Sequence, residues 1–312
     1  MLTFHCHVPS TKNTLDSLSL SSPYMGRVLD AVIVAAGLGT RMLPVSGFVA
    51  KEMLPLVDVP VMHHLILEAR AAGCNRIHII TSPSKDFSLV LDDMNKKFPS
   101  YPNDQSLLNP IGDAEYFIHY QHEQLGLAHA ISMASSSISG PFLVLLGDNI
   151  LTPNHAALSS FEPSPVSKEL VSLHQETGCA CSSVYDVGIE AVNQYGIVSL
   201  DGDRVQSIVE KPNQEVAPST LAFCGRYIFT EDFSTLLDHY PVEEHGELQS
   251  IAILEHWMNE GKLRAHVLES TVSWYDSGMP LVWLTSQIDH ALRRPEYGDK
   301  LVAWLNQRMN QS

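Results

Sequence analysis

The sequence predicts an α/β protein whose mainly parallel sheet is covered by helices on both faces. Two observations carry this. Apolar strand candidates alternate with segments of helical spacing through the first half of the chain, and a glycine-rich turn follows the first strand directly. The chain has 312 residues, ample for a sizeable buried core.

Taken in order, Asp30 to Ala35 reads as a buried strand and Val61 to Ala72 (VMHHLILEARAA) as a helix stopped by Gly73. Arg76 to Thr81 is the next strand, Tyr116 to Tyr120 another, Leu127 to Ser135 a helix, and Pro141 to Leu146 (PFLVLL) a fully apolar strand. The second half changes character. Gly196 to Leu200, Val205 to Val209 and Gly225 to Phe229 read as strands, with Asp201-Gly202-Asp203 as a hairpin turn. Helices return at Leu248 to Asn259 and from Leu281 onward. Residues 1–28 read as a loose tail with no signal-peptide pattern, Met25 as an alternative start, and 29–312 as one domain with C-terminal helices. Glu162 to Lys168 is the one weak linker candidate.

A formal charge of −16 excludes binding of nucleic acid by broad phosphate neutralisation, though an anionic small ligand needs only a few local cations. No apolar run approaches the roughly 20 residues that span a bilayer, so a cytoplasmic protein without membrane contact is expected. Five cysteines (Cys6, Cys74, Cys179, Cys181, Cys224) show neither a zinc spacing nor a disulfide framework. His5-Cys6-His7 is a short metal-like run, and the Cys179/Cys181 pair reads as buried structural thiols, with chelation of a soft metal as the alternative.

The turn AAGLGTRMLP, at residues 35 to 44, presents backbone N–H groups to an anion. It lacks the third glycine of a dinucleotide fingerprint, since Met42 stands there, and the chain has no GxxxxGK[ST] phosphate loop. GLGTRMLP followed by KEMLPLVDVP instead resembles the signature of the bacterial UDP-glucose pyrophosphorylases, or UTP:glucose-1-phosphate uridylyltransferases, of the sugar-nucleotidyltransferase superfamily. Further matching segments follow in order: QHEQLGLAHA, LGDNIL, YGIV, VEKPNQEVAPSTLAFCGRYIF, GELQ, WYDSG and LVAWLNQRM. The resemblance runs from about residue 29 to 309. It implies a Rossmann-like mixed sheet flanked by helices, the nucleotide-diphospho-sugar transferase fold.

The reaction it implies is attack of a glucose 1-phosphate oxygen on the alpha phosphorus of UTP, releasing pyrophosphate, with Mg2+ as cofactor. Such chemistry is mostly positioning and charge neutralisation. Arg41 offers a planar fork of donors to the triphosphate and Lys51 a compact charge; the residues alone would equally suit exposed surface cations. Asp148 follows an apolar strand, so its carboxylate is expected at the carboxyl edge of the sheet. By the resemblance, Asp276 is the family's second aspartate, and Asp148 and Asp276 hold the metal; on their own they would read as turn or cap residues. Lys211 pairs with the sugar phosphate, Glu210 with sugar hydroxyls, and Gly196 admits the sugar to the backbone. On the nucleotide side, Ala35, Ala36, Gly37, Gly39 and Thr40 lie under the nucleotide, Gln121 with Gly126 reads the base, and Glu52 reaches the ribose. His63, His64 and His129 read as packing or surface residues rather than bases.

Two departures stand out. Gly47 replaces a lysine common in the uridylyl family, and LGDNI is closer to the thymidylyltransferases. The alternatives are therefore a glucose-1-phosphate thymidylyltransferase using dTTP, or a catalytically silent regulatory homologue. A homodimer or homotetramer is the family's implication for assembly.

Overall fold

The computed structural model describes residues 27–239 and 250–311. Met25, the His5-Cys6-His7 run, nearly all of the expected tail and the GELQ segment lie outside the described residues. Thirteen strands are described: β1 (Asp30–Val34), β2 (Pro55–Leu56), β3 (Val59–Pro60), β4 (Arg76–Thr81), β5 (Glu115–Tyr120), β6 (Phe142–Leu146), β7 (Asn149–Thr152), β8 (Ala180–Asp186), β9 (Gly196–Asp201), β10 (Arg204–Glu210), β11 (Leu221–Phe229), β12 (Leu263–Val267) and β13 (Ser273–Asp276). Nine of them form one sheet in the order β5-β4-β1-β6-β11-β8-β12-β10-β9.

Parallel pairing is confined to the β5-β4-β1-β6 block and the β8-β12 pair, while β11 and β10 run antiparallel to their neighbours. Thus the sheet is mixed, with its parallel half built by the first half of the chain. The β9-β10 hairpin turns at Gly202, whose φ of +61° suits a residue without Cβ.

Continuous apolar runs in β1 and β6 follow from burial on both faces. Ala31 and Ile33 join the core layer under the helices Val61–Ala71 and Val166–Thr177, whereas Val32 and Val144 face the layer of Ala128, Ile131, Leu254 and Trp257. The Val61–Ala71 helix ends at Ala72, and Gly73 takes a φ of +96° just beyond it. The expected C-terminal helices are Pro280–Arg293 and Gly298–Met309, separated around Pro295. Glu162 to Lys168 is not a linker. Val166 begins a helix there, and Ser167 donates at 2.5 Å to the buried Glu68.

Two features of this frame position chemistry. The carboxyl ends of β4, β1 and β6 are level, since Val34 is opposite both Ile80 and Leu146, so the loops after them emerge on one edge. A second ribbon, β7 against β13, sets Asn149 opposite Asp276.

Candidate active site

Gly147, the residue after β6, sits so close to β1 that an added Cβ would lie 2.5 Å from the Val34 carbonyl oxygen and 3.2 Å from Glu52 Cγ. Only a glycine lets the chain turn there, and it delivers Asp148 to the sheet edge. The ribbon brings the second carboxylate: Ser277 N donates to the Asp148 carbonyl at 3.0 Å, and the Asp276 carboxylate is bonded by Gly278 N. A methyl group at Gly278 would sit 2.8 Å from Asp276 Oδ1 and 3.7 Å from Asp148 Oδ2. The two acids, 128 residues apart in sequence by their numbers, therefore converge on one space.

Lys51 lies in a short 3-10 turn, Lys51–Met53, and its ammonium pairs with Asp148 Oδ2. Burial would lower its pKa, but Asp148, with Glu52 and Asp276, outweighs burial and leaves it raised. Burial and the neighbouring Asp148 charge push the Asp276 carboxyl above its ordinary range, against the opposing pull of Gly278 N–H, Lys51 and Arg41. Arg41 itself is exposed in the 3-10 turn Thr40–Met42, which follows directly from Gly39 at φ +66°. Gly37 and Thr40 are likewise exposed, whereas Ala35 and Ala36 are buried beneath the turn. Gly47 lies exposed in the next turn, Val45–Gly47.

Glu52 does not fit its expected part. Its carboxylate is buried and both oxygens accept from Lys85 Nζ at 2.9 Å, so it faces a lysine of the protein rather than open space for a ribose. Lys85 also donates to the Ala35 carbonyl at 2.6 Å and so ties the glycine turn to the Lys51 turn. Burial pushes the Glu52 carboxyl up and the Lys85 ammonium down, with their mutual attraction opposing both shifts. No motif in the sequence flagged Lys85; its place after β4, at the level edge of the sheet, is the one signal that could have found it. Gln121, just after β5, is buried, with Nε2 3.3 Å from the Gly126 carbonyl and 2.9 Å from His129 Nδ1. The structure thus joins Gln121 and Gly126 directly.

Gly196, Glu210 and Lys211 form a separate cluster. Gly196 is the register partner of Glu210, and a Cβ on it would lie 2.9 Å from Glu210 Oε2. With Tyr195, Phe223, Tyr227 and Leu254, these residues line an open cleft of about 490 Å³. Lys211 has a positive φ of 47°, rare for a residue with a side chain, and its N–H bonds the Tyr195 carbonyl at 2.9 Å. Its ammonium stands 3.4 Å from Glu210, both side chains more than half exposed.

Beneath the ribbon lies a buried ion pair that the sequence did not announce. Arg226 meets Glu68 through two bonds, of 2.9 and 2.8 Å, and donates to the Asn149 carbonyl at 2.9 Å. Gly225, at φ +85°, lies within the register break of β11 beside it. Elsewhere, His63 Nδ1 and His64 Nε2 are buried without a hydrogen-bond partner, and burial pushes both imidazoles down, to about 4 and about 3. They are packing residues, as expected. Cys181 and Cys224 are buried thiols pushed up to about 12 by burial, and Cys179 is half-buried.

A level sheet edge that gathers a glycine turn, two basic side chains and a carboxylate pair, with an open cleft alongside that carries Glu210 and Lys211, is the make-up of a protein that handles phosphorylated ligands. Comparison with known proteins agrees. The nucleotidyl transferase family model matches residues 30–286, and the chain belongs to that family. It is 32% identical over 296 residues to a UTP–glucose-1-phosphate uridylyltransferase of Staphylococcus epidermidis, covering 91% of this chain and 99% of that one. Among solved structures it is similar to a UDP-glucose pyrophosphorylase complexed with UDP-glucose, with a TM-score of 0.70 at 28% identity over 86% of this chain and 100% of that one. A UTP-bound UDP-glucose pyrophosphorylase of Acinetobacter baumannii gives a TM-score of 0.74 at 27% identity, covering 89% and 99%.

Proposed function

We propose that this chain makes UDP-glucose and pyrophosphate from UTP and glucose 1-phosphate. The observation that carries this is the convergence of Asp148, Asp276 and Lys51 at the sheet edge, in a chain that matches uridylyltransferases over nearly its whole length. In the reaction a sugar-phosphate oxygen attacks the alpha phosphorus, the bond to the bridging oxygen breaks, and that oxygen leaves with pyrophosphate. The chain's part is to hold both reactants in line and to balance charge as it shifts to the leaving group.

Lys51 and Arg41 take the triphosphate, and Ala35, Ala36, Gly37, Gly39 and Thr40 form the floor under the nucleotide. Gln121 and Gly126 sit at the base. Gly196 and Glu210 hold the sugar, and Lys211 its phosphate. Asp148 and Asp276 suit a hard divalent cation: two carboxylates facing one space, one of them held above its ordinary range by burial and by the other's charge, match the one or two acids Mg2+ commonly takes besides phosphate oxygens. Among the described residues no group of three or more metal-binding side chains is present, so the remaining ligands would come from substrate and water. Bound there, Mg2+ would screen phosphate charge.

A cytoplasmic setting is proposed from the free cysteines Cys74, Cys179, Cys181 and Cys224; among the described residues no helix is long and apolar enough to cross a membrane. Self-association as a homodimer or homotetramer is supported by the exposed apolar face of Leu43, Val45, Phe48 and Leu284, and sedimentation would test it.

The experiment is pyrophosphate release with Mg2+ and glucose 1-phosphate, comparing UTP with dTTP. Faster turnover of UTP is expected. Preference for dTTP would make the chain a thymidylyltransferase, and binding without turnover a silent homologue.

A further inference from the structure

Trp274 stands between the two halves of the site. It belongs to β13, two residues before Asp276 and opposite Leu151 of β7. Its indole N–H donates at 2.9 Å to Oδ1 of Asn149, the buried residue that follows Asp148 and whose carbonyl is held by Arg226. The ring meets Tyr195 at 5.0 Å between centroids, tilted by 45°, and Tyr185 edge-on at 6.0 Å. Tyr195 lines the sugar cleft, and its carbonyl receives the Lys211 N–H. One side chain therefore braces the carboxylate ribbon with its polar atom and the sugar cleft with its ring face.

We propose that Trp274 is a positioning residue that fixes the separation between the Asp148/Asp276 ribbon and the Lys211 cleft. The consequence follows from the geometry of transfer. A residue of one half-site sets the affinity of the reactant that binds there, so its loss appears in that reactant's KM. A brace between the half-sites touches neither reactant. It governs whether the attacking oxygen and the phosphorus meet in line, and misplacement of about 1 Å can lower turnover by roughly 100-fold. Its loss should appear in kcat with both KM values preserved.

The inference rests on the transfer reading above, and its test separates the two. Trp274→Phe keeps a smaller ring against Tyr195 and removes the N–H to Asn149; Trp274→Leu removes the aromatic ring as well. With Mg2+, UTP and glucose 1-phosphate, Trp274→Phe is expected to lower kcat about tenfold and Trp274→Leu further, with both KM values within about twofold and the melting temperature nearly unchanged. A kcat within about twofold of wild type in both variants would overturn the proposal. So would a rise confined to one KM, which marks a direct substrate contact, or a kcat loss that tracks a fall in melting temperature. A second readout needs no turnover: the indole's emission in the wild type should shift on addition of Mg-UTP and, separately, of glucose 1-phosphate, and the Trp274→Phe difference spectrum should lack both shifts. Identical titrations in wild type and variant would contradict the brace, whereas an inactive wild type that still shows both shifts would sink the transfer reading alone.

Discussion

The proposed nucleotide end and the proposed sugar end of the site are built on opposite electrostatic plans. At the nucleotide end Lys51, Lys85 and Glu52 keep only 11%, 7% and 1% of their side-chain surface exposed, and each is paired within the protein. At the sugar end Lys211 and Glu210 keep 60% and 53% exposed and stand 3.4 Å apart in water. A buried, paired charge is already desolvated and held in place, so it can act on a phosphate without reorganising. Lys51, with one of its three N–H donors on Asp148, keeps donors for a triphosphate. An exposed pair is screened and adds little to stability, yet it is free to meet a ligand directly. Stability is therefore invested under the proposed nucleotide end, where the Arg226–Glu68 pair backs the ribbon, while the proposed sugar cleft is free to change without disturbing the core.

That contrast can be broken at several points. The largest effect is expected from Glu68→Ala, which leaves the Arg226 guanidinium buried without its partner and should lower unfolding free energy by about 3–5 kcal/mol in a denaturant titration. Glu210→Gln should change it by less than about 0.5 kcal/mol. Comparable losses in the two variants would erase the distinction. Next, Asp148→Asn should reduce pyrophosphate release by on the order of 100-fold or more with the fold intact, since it removes one charge at the edge and no core volume. A nearly normal rate would remove Asp148 from the site.

Lys211→Ala sharpens the other side. It should raise the KM for glucose 1-phosphate roughly tenfold, leave the KM for UTP in place, and leave the melting temperature alone. A change in the UTP KM instead would place Lys211 at the wrong end. The smallest expected effect is of pH. His290, packed with His155 against Tyr275 of the ribbon, is pushed down from 6.5 to about 4 by burial, with the neighbouring His155 and Arg294 adding to it. A base depressed in the folded state contributes stability that is complete above its unfolded pKa and is lost as pH falls through the folded one. The melting temperature should therefore decline between pH 6.5 and about 4, and His290→Gln should flatten that decline. An unchanged slope in the variant would assign the acid sensitivity elsewhere.

How much of this was legible beforehand depends on how far each role reaches along the chain. Arg76 to Thr81 and the Asp201-Gly202-Asp203 turn are local patterns, and both stand where expected. Asp148 was legible because an apolar strand ending in Gly-Asp must release the aspartate at the sheet edge. Lys211, Glu210 and Gly196 came through the family resemblance, and the fold gathers them in one cleft. What stayed hidden was set by distant partners. Lys85 reaches an Ala35 carbonyl 50 residues back, Trp274 an Asn149 125 residues back, and Arg226 a Glu68 158 residues back. Nothing in the flanking residues of any of these encodes the partner. Glu52 was misread for the same reason: beside Lys51 it looks available for a ligand, and only the fold shows Lys85 already holding both its oxygens.

The central claim is that the two half-sites bring one nucleotide and one sugar phosphate together for transfer. Phosphorus NMR of the wild-type protein with Mg2+, UTP and glucose 1-phosphate follows every species at once. The account predicts matched loss of both substrates and matched appearance of pyrophosphate and a sugar nucleoside diphosphate. Loss of UTP without consumption of glucose 1-phosphate, or no change in either while the folded protein binds both, would contradict it.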